Sequence, residues 1–259
     1  MARDKTLIVG NLKMNLGVGE ASLYVHELAK LVKTHNDVEV ILAPTSLTLQ
    51  TLSLQVNHRQ FKLAAQNFYW RDSGAFTGEI SAAQLRGIAQ YGLVGHSERR
   101  HIFHDSDKDI RAKVQAAIRN HIKPILCVGE TAFERSENET AAVLHDQLVG
   151  GLANITSEEL EHVVIAYEPV WAIDNGNHAQ PSDVSTAIRA IRNQIKHLYG
   201  AQAAEAIPVL YGGSVNLESV AGYLALPDVD GLLVGHASLE PVAFSEIIKK
   251  AHKSAVAKE

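Results

Sequence analysis

Glu168 ends the apolar run Val163-Val164-Ile165-Ala166-Tyr167 and precedes Pro169, so a carboxylate is set between apolar neighbours where an extended segment must stop. That placement suits a general base working near neutrality, although a lone glutamate of this kind reads equally well as an exposed turn residue. His96 lies in Gly95-His96-Ser97-Glu98-Arg99-Arg100, where a strand gives way to a first helical turn. Helix-end amides aimed at the ring disfavour its cation and leave a neutral imidazole that donates a hydrogen bond. The plain alternative is a surface residue, one of 13 histidines. Lys13, two residues past Asn11, offers a cation to a substrate anion or a developing oxyanion, or is a solvated loop lysine. Gly212-Gly213-Ser214 and Gly235 present unhindered backbone amides of the kind that hold phosphate, or are simple turns. His101 and His104 beside Asp105 and Asp107 invite a metal reading, but the spacing matches no established ligand pattern and fits a solvated loop better.

Something must bring these positions together. Short β-branched apolar runs recur at 7–9, 38–42, 62–65, 91–94, 125–128, 163–167, 208–211 and 231–234. Each is continuously apolar, the pattern of parallel strands buried on both faces. Segments of helical spacing separate them. Val184, Ile188, Ile191, Ile195 and Leu198 follow Pro181-Ser182-Asp183, and Ile110, Val114, Ala117 and Ile118 follow Ser106 and Asp109, an acidic form of the capping box. Further helices are expected over 23–32, 47–56, 141–152, 217–224 and 242–248, with a shorter one over 81–90. Eight strand and helix units in 259 residues, with no linker or low-complexity tract, fit a single (β/α)8 barrel domain better than an open doubly wound sheet. Gly17-Val18-Gly19 lacks the third glycine of a dinucleotide fingerprint and reads as loop.

Active sites of such barrels lie at the carboxyl ends of the strands. Those positions hold Asn11 and Lys13, Gln66 and Asn67, His96 to Glu98, Gly129 and Glu130, Glu168, Gly212 to Ser214, and Gly235 and His236. A purely structural barrel needs few of them.

Composition narrows the partners. Twenty-nine acids against 24 bases leave a formal charge of −5 without a basic block, so nucleic acid is not expected. No apolar stretch approaches the ~18 residues of a membrane span, and the N-terminus lacks a signal-peptide core, which makes a cytoplasmic location the expectation. Cys127 is the only cysteine, so no intrachain disulfide forms.

The segments Asn11-Leu12-Lys13-Met14-Asn15, Ala65-Gln66-Asn67, Gly74-Ala75-Phe76-Thr77-Gly78-Glu79, Val94-Gly95-His96-Ser97-Glu98-Arg99, Cys127-Val128-Gly129-Glu130, Ala166-Tyr167-Glu168-Pro169-Val170-Trp171-Ala172-Ile173 and Tyr211-Gly212-Gly213-Ser214-Val215-Asn216 resemble, in order, the signatures of the triosephosphate isomerase family. The resemblance covers essentially the whole chain. It implies interconversion of dihydroxyacetone phosphate and glyceraldehyde 3-phosphate through an enediolate, with no cofactor and no metal. Glu168 is then the base, neutral His96 the electrophile, and Asn11 and Lys13 the groups that stabilise negative charge, with Glu98 as the partner of Lys13. Backbone amides at Asp174, Ser214, Gly235 and His236 hold the phosphate. Residues 169–176, starting at Pro169, form a closing lid, with Trp171 as part of its hinge and Tyr211 holding the closed form, because an exposed enediolate expels its phosphate. The tip of the third loop, around Phe76 and Thr77, reaches a second subunit, which implies a homodimer.

The chain departs from the family pattern in three places. Leu12 replaces a tryptophan, Asp174-Asn175-Gly176-Asn177 replaces Gly-Thr-Gly-Lys, and His236 replaces a glycine. If the amides of 174 and 236 approach one phosphate, either Asp174 is neutralised by His236 as a latch or both side chains turn to solvent. Isomerisation of a four-carbon ketose phosphate, or a binding protein that has lost turnover, are the alternatives to the main reading.

Overall fold

The computed structural model describes residues 5–173 and 178–256. Within them eight parallel strands pair in chain order: β1 (Thr6–Asn11), β2 (Val38–Ala43), β3 (Phe61–Ala65), β4 (Tyr91–Val94), β5 (Lys123–Val128), β6 (Val164–Tyr167), β7 (Val209–Tyr211) and β8 (Gly231–Val234). β8 returns to β1 with Leu7 opposite Gly231 and Gly10 opposite Val234, closing a barrel. The closed (β/α)8 arrangement is the one expected from the alternation of runs.

The strands read as continuously apolar because they separate two cores. Leu7, Val9, Ile41, Ala43, Leu93, Ile125, Cys127, Ala166 and Leu233 pack together inside the barrel. Their sequence neighbours Ile8, Leu42, Val94, Leu126, Ile165 and Val234 pack outward against the helices. Closure is tight at the seam, where a β-carbon at Gly231 would lie 1.9 Å from the carbonyl oxygen of Leu7. Leu12 is fully buried at the end of β1, in the outer core.

Local chemistry sets the helix starts. Pro181 opens the Pro181–Tyr199 helix, and Asp183 accepts from the Gln180 N–H at 3.2 Å. Ser106 and Asp109 exchange the reciprocal bonds of a capping box at 3.2 and 3.1 Å. Gly17-Val18-Gly19 is not a loop: the Glu20 carboxylate accepts the Gly17 N–H at 2.7 Å and starts the Val18–Leu31 helix five residues before the expected position. The segment expected as a helix over 81–90 is helical only at Ala82–Leu85, because Arg86 leaves helical geometry and Gly87 takes φ +82°. The helical turn expected after His96 forms at Ser97–His101, and short helices at Ala132–Ser136, Ser157–Leu160 and Ala201–Ala206 add to the expected set. Among the described residues no helix is long and apolar enough to cross a membrane.

Candidate active site

The carboxyl ends of the strands surround a cleft of about 640 Å³ whose lining includes Asn11, Lys13, His96, Glu168, Ser214, Gly235 and His236. Residues spread from 11 to 236 are thus collected by the barrel alone.

His96 caps the Ser97–His101 helix: its Nδ1 accepts the Glu98 N–H at 3.3 Å. A neutral ring that accepts at Nδ1 carries its proton on Nε2. Nε2 lies 3.2 Å from Glu168 Oε1 and 3.2 Å from the amide nitrogen of Asn11. The second oxygen of Glu168 accepts the Ser97 N–H at 2.9 Å. Glu168 is buried, and its carboxylate meets donors instead of the purely apolar walls that its sequence neighbours suggest. Gly129 permits this strand end: a β-carbon there would fall 1.8 Å from the Glu168 carbonyl oxygen. Cys127 lies beneath, its thiol pushed well above the usual range by burial and then by Glu168, so it stays protonated.

Lys13 adopts φ +50°, an uncommon conformation for a residue with a side chain. Two side chains hold it there. Asn11 Oδ1 accepts the Lys13 N–H at 3.0 Å, and Gln66 donates to the Lys13 carbonyl at 2.9 Å and to Ala43 at 2.8 Å. The ammonium reaches Glu98 at 2.9 Å, and its stem passes the open side of Gly235.

The segment after Glu168 is anchored from below. Glu130, fully buried, accepts from Trp171 Nε1 at 2.8 Å and from the Tyr167 hydroxyl at 3.1 Å. Burial first, and Glu130 second, push the Tyr167 phenol up, which keeps it a donor. The Arg135 guanidinium lies 3.9 Å from the centre of the Trp171 ring and pairs with Asp183 at 3.2 Å. Pro169 precedes the short 3-10 turn Val170–Ala172. Ser214 directs both its N–H, at 3.1 Å, and its hydroxyl, at 2.8 Å, to the Ala172 carbonyl. The expected phosphate amide at Ser214 is therefore engaged with the Ala172 carbonyl in this arrangement. The buried Tyr211 hydroxyl has no hydrogen-bond partner among the described residues. Asp174 lies outside the described residues, and with it the expected latch to His236, whose side chain is exposed at the rim.

Phe76 and Thr77 are not part of the cleft. They tip an exposed excursion that closes on itself through the Tyr69 N–H to Ile80 carbonyl bond of 2.8 Å. Its base is tied to the barrel by Lys113 to Asn67 at 2.8 Å and Arg119 to Asp72 at 3.0 Å. Asp105 and Asp107 beside His101 and His104 pair with Arg99 and Lys113, and with Arg100.

Glu130, Arg135, Ser97 and Gln66 were not singled out by residue type. Gln66, Ser97 and Glu130 do stand at strand ends, which is the signal that marks them; Arg135 carries none, since it acts through a contact distant in sequence.

A family model described as triosephosphate isomerase matches residues 6–251. A triosephosphate isomerase of Geotalea uraniireducens is 41% identical over 246 residues, 95% of this chain and 98% of that protein. Those of Caldanaerobacter subterraneus subsp. tengcongensis and Trichlorobacter lovleyi are 41% and 40% identical, covering 98% and 97% of their lengths and 94% of this chain in both cases. With a closed eightfold barrel, a carboxylate and an imidazole meeting at its strand ends, and this extent of likeness, the chain belongs to the triosephosphate isomerase family.

Proposed function

We propose that this chain interconverts dihydroxyacetone phosphate and D-glyceraldehyde 3-phosphate. The observation that carries the reading is the 3.2 Å approach of Glu168 Oε1 to His96 Nε2 while His96 Nδ1 accepts from Glu98. It supports a base and a neutral hydrogen-bond donor converging on one point of the cleft.

Glu168 leaves the Ser97 N–H and takes the proton on the carbon next to the substrate carbonyl. His96 donates from Nε2 to the carbonyl oxygen and passes protons between the two substrate oxygens. Asn11 and Lys13 stabilise the negative charge of the enediolate, and Glu98 sets the position of the Lys13 ammonium. Backbone amides at Ser214, Gly235, His236 and Asp174 take the phosphate, the Ser214 amide exchanging Ala172 for the ligand. The lid over residues 169–176 pivots at Pro169 and Trp171, closes on Tyr211, and excludes water from the intermediate. No cofactor or metal enters the reaction.

The protruding loop with Phe76 and Thr77 supports a homodimer in which each tip reaches the neighbouring cleft; exposed Met14, beside Lys13, supports the same face. The reading carries a cytoplasmic location and a small-molecule substrate, without nucleic acid or membrane.

A coupled assay with three- and four-carbon ketose phosphates tests it. Turnover of dihydroxyacetone phosphate at least about a hundredfold more efficient than that of the four-carbon homologue is expected. Preference for the longer substrate, or turnover of neither, overturns it.

A further inference from the structure

We propose that His35, Asp37 and His252 form a binding site for a divalent transition-metal ion at the amino-terminal end of the barrel, away from the catalytic cleft. The three residues each offer one ligand atom, and those atoms lie within 4.8 Å of one another. His35 and Asp37 lie between the Val18–Leu31 helix and β2, whereas His252 belongs to the Pro241–Val256 helix. The two imidazoles stack with centroids 3.9 Å apart and planes at 26°, and His252 Nδ1 lies 2.7 Å from Asp37 Oδ2.

Several features make this more than a surface ion pair. An imidazole–carboxylate pair needs one histidine, yet a second ring, two residues before Asp37 in the same loop, is stacked on His252. Two neutral imidazoles and one carboxylate supply two nitrogens and an anionic oxygen, a donor set that suits zinc, nickel, cobalt or copper and leaves remaining positions to water. Metal–ligand bonds of about 2.1 Å bring neighbouring donors to about 3 Å, so the side chains must draw inward. All three are half-buried. Asp37 is also fixed by its backbone, because its carbonyl accepts the Thr6 N–H at 2.8 Å where β1 begins. Lys33 faces His35 from the same loop and opposes a bound cation. The ion would fasten the loop before β2 to the final helix.

Titration of the purified protein with Zn²⁺ against a chromophoric chelator, together with Co²⁺ absorption spectra, tests the site. One ion per chain is expected, and affinities ordered cobalt, nickel, copper, with zinc below copper. His35→Ala, which keeps the His252–Asp37 pair, and His252→Ala should each weaken Zn²⁺ binding at least about tenfold. Lys33→Gln should tighten it, and His101→Ala with His104→Ala should leave it unchanged. Zn²⁺ at a hundredfold excess over Kd should raise Tm by about 5 °C in the parent protein and not in His35→Ala. Isomerase activity should be the same in all these variants. If His252→Ala fails to fold, Asp37→Asn takes its place. Zn²⁺ binding weaker than about 1 mM, or full affinity in either ligand variant, overturns the proposal.

Discussion

The Ser97 N–H holds Glu168 Oε2 at 2.9 Å, and the same backbone turn is capped by His96, whose Nε2 faces Glu168 Oε1 at 3.2 Å. One short helix start therefore sets both the resting place of the carboxylate and the tautomer of the imidazole. Glu168→Asp draws the carboxylate back by one methylene, and a misplacement near 1 Å costs about 10²-fold in rate. We expect kcat to fall by about that factor with KM changed severalfold at most; unchanged kcat in steady-state assays removes Glu168 from the role of base.

Glu168 also needs empty space. A β-carbon at Gly212 would sit 2.9 Å from Glu168 Cγ and 3.4 Å from the Tyr167 carbonyl. Gly212→Ala is expected to lower kcat by about tenfold or more, with an overpacking cost of about 1–3 kcal/mol in stability. Wild-type kcat in a well-folded variant shows that the carboxylate moves by another route.

Trp70 and Trp171 are the two tryptophans of the chain. Trp70→Phe makes Trp171, held by Glu130 and Arg135, the sole tryptophan reporter of the segment after Glu168. Its fluorescence should shift on adding a non-reacting phosphate ligand, and the shift should be lost in Glu130→Gln. A signal indifferent to ligand separates Trp171 from lid closure.

Acid sensitivity is expected from Asp105. Burial raises its pKa, but hydrogen bonds from Arg99 and Lys113 outweigh that and hold the carboxyl below its usual range. A depressed folded-state pKa contributes stability above the ordinary carboxylate range, near pH 4, which is lost as pH falls through the lower folded value. Asp105→Asn leaves buried Lys113 without its carboxylate and should cost about 3–5 kcal/mol at pH 7 by urea unfolding. The gap between variant and parent should narrow below pH 4. A gap independent of pH contradicts the assignment.

Shortening residues 69–77 should yield monomers with strongly reduced activity, measured by sedimentation and coupled assay. A fully active monomer shows that each barrel organises its own cleft.

Much of this architecture is legible in the chain because strands buried on both faces leave an uninterrupted apolar signature, and polar residues just past them must face one end of a barrel. The eight runs and the grouping of Asn11, Lys13, His96 and Glu168 follow from that rule. The helix start at Gly17 did not, because Glu20 substitutes a side-chain bond for the missing cap residue and glycines ordinarily signal loop. The engagement of Ser214 with Ala172 was equally invisible: it is a contact across 42 residues between a hydroxyl and a carbonyl, and no residue type announces a backbone acceptor. Arg135 on Trp171 belongs to the same class of contact.

The solitary hydroxyl of Tyr211 has an energetic consequence for the working cycle. A buried donor without a well-formed partner costs up to about 1–3 kcal/mol, and the Tyr211 hydroxyl, beside Tyr223, carries part of that cost in the arrangement in which Ser214 is bound to Ala172. An arrangement that gives the phenol an acceptor is favoured over this one by that amount, as a drawn spring favours release. Tyr211→Phe, which removes that hydroxyl, should then relieve the cost where Ser214 is bound to Ala172 and shift the balance between the two arrangements by about that much.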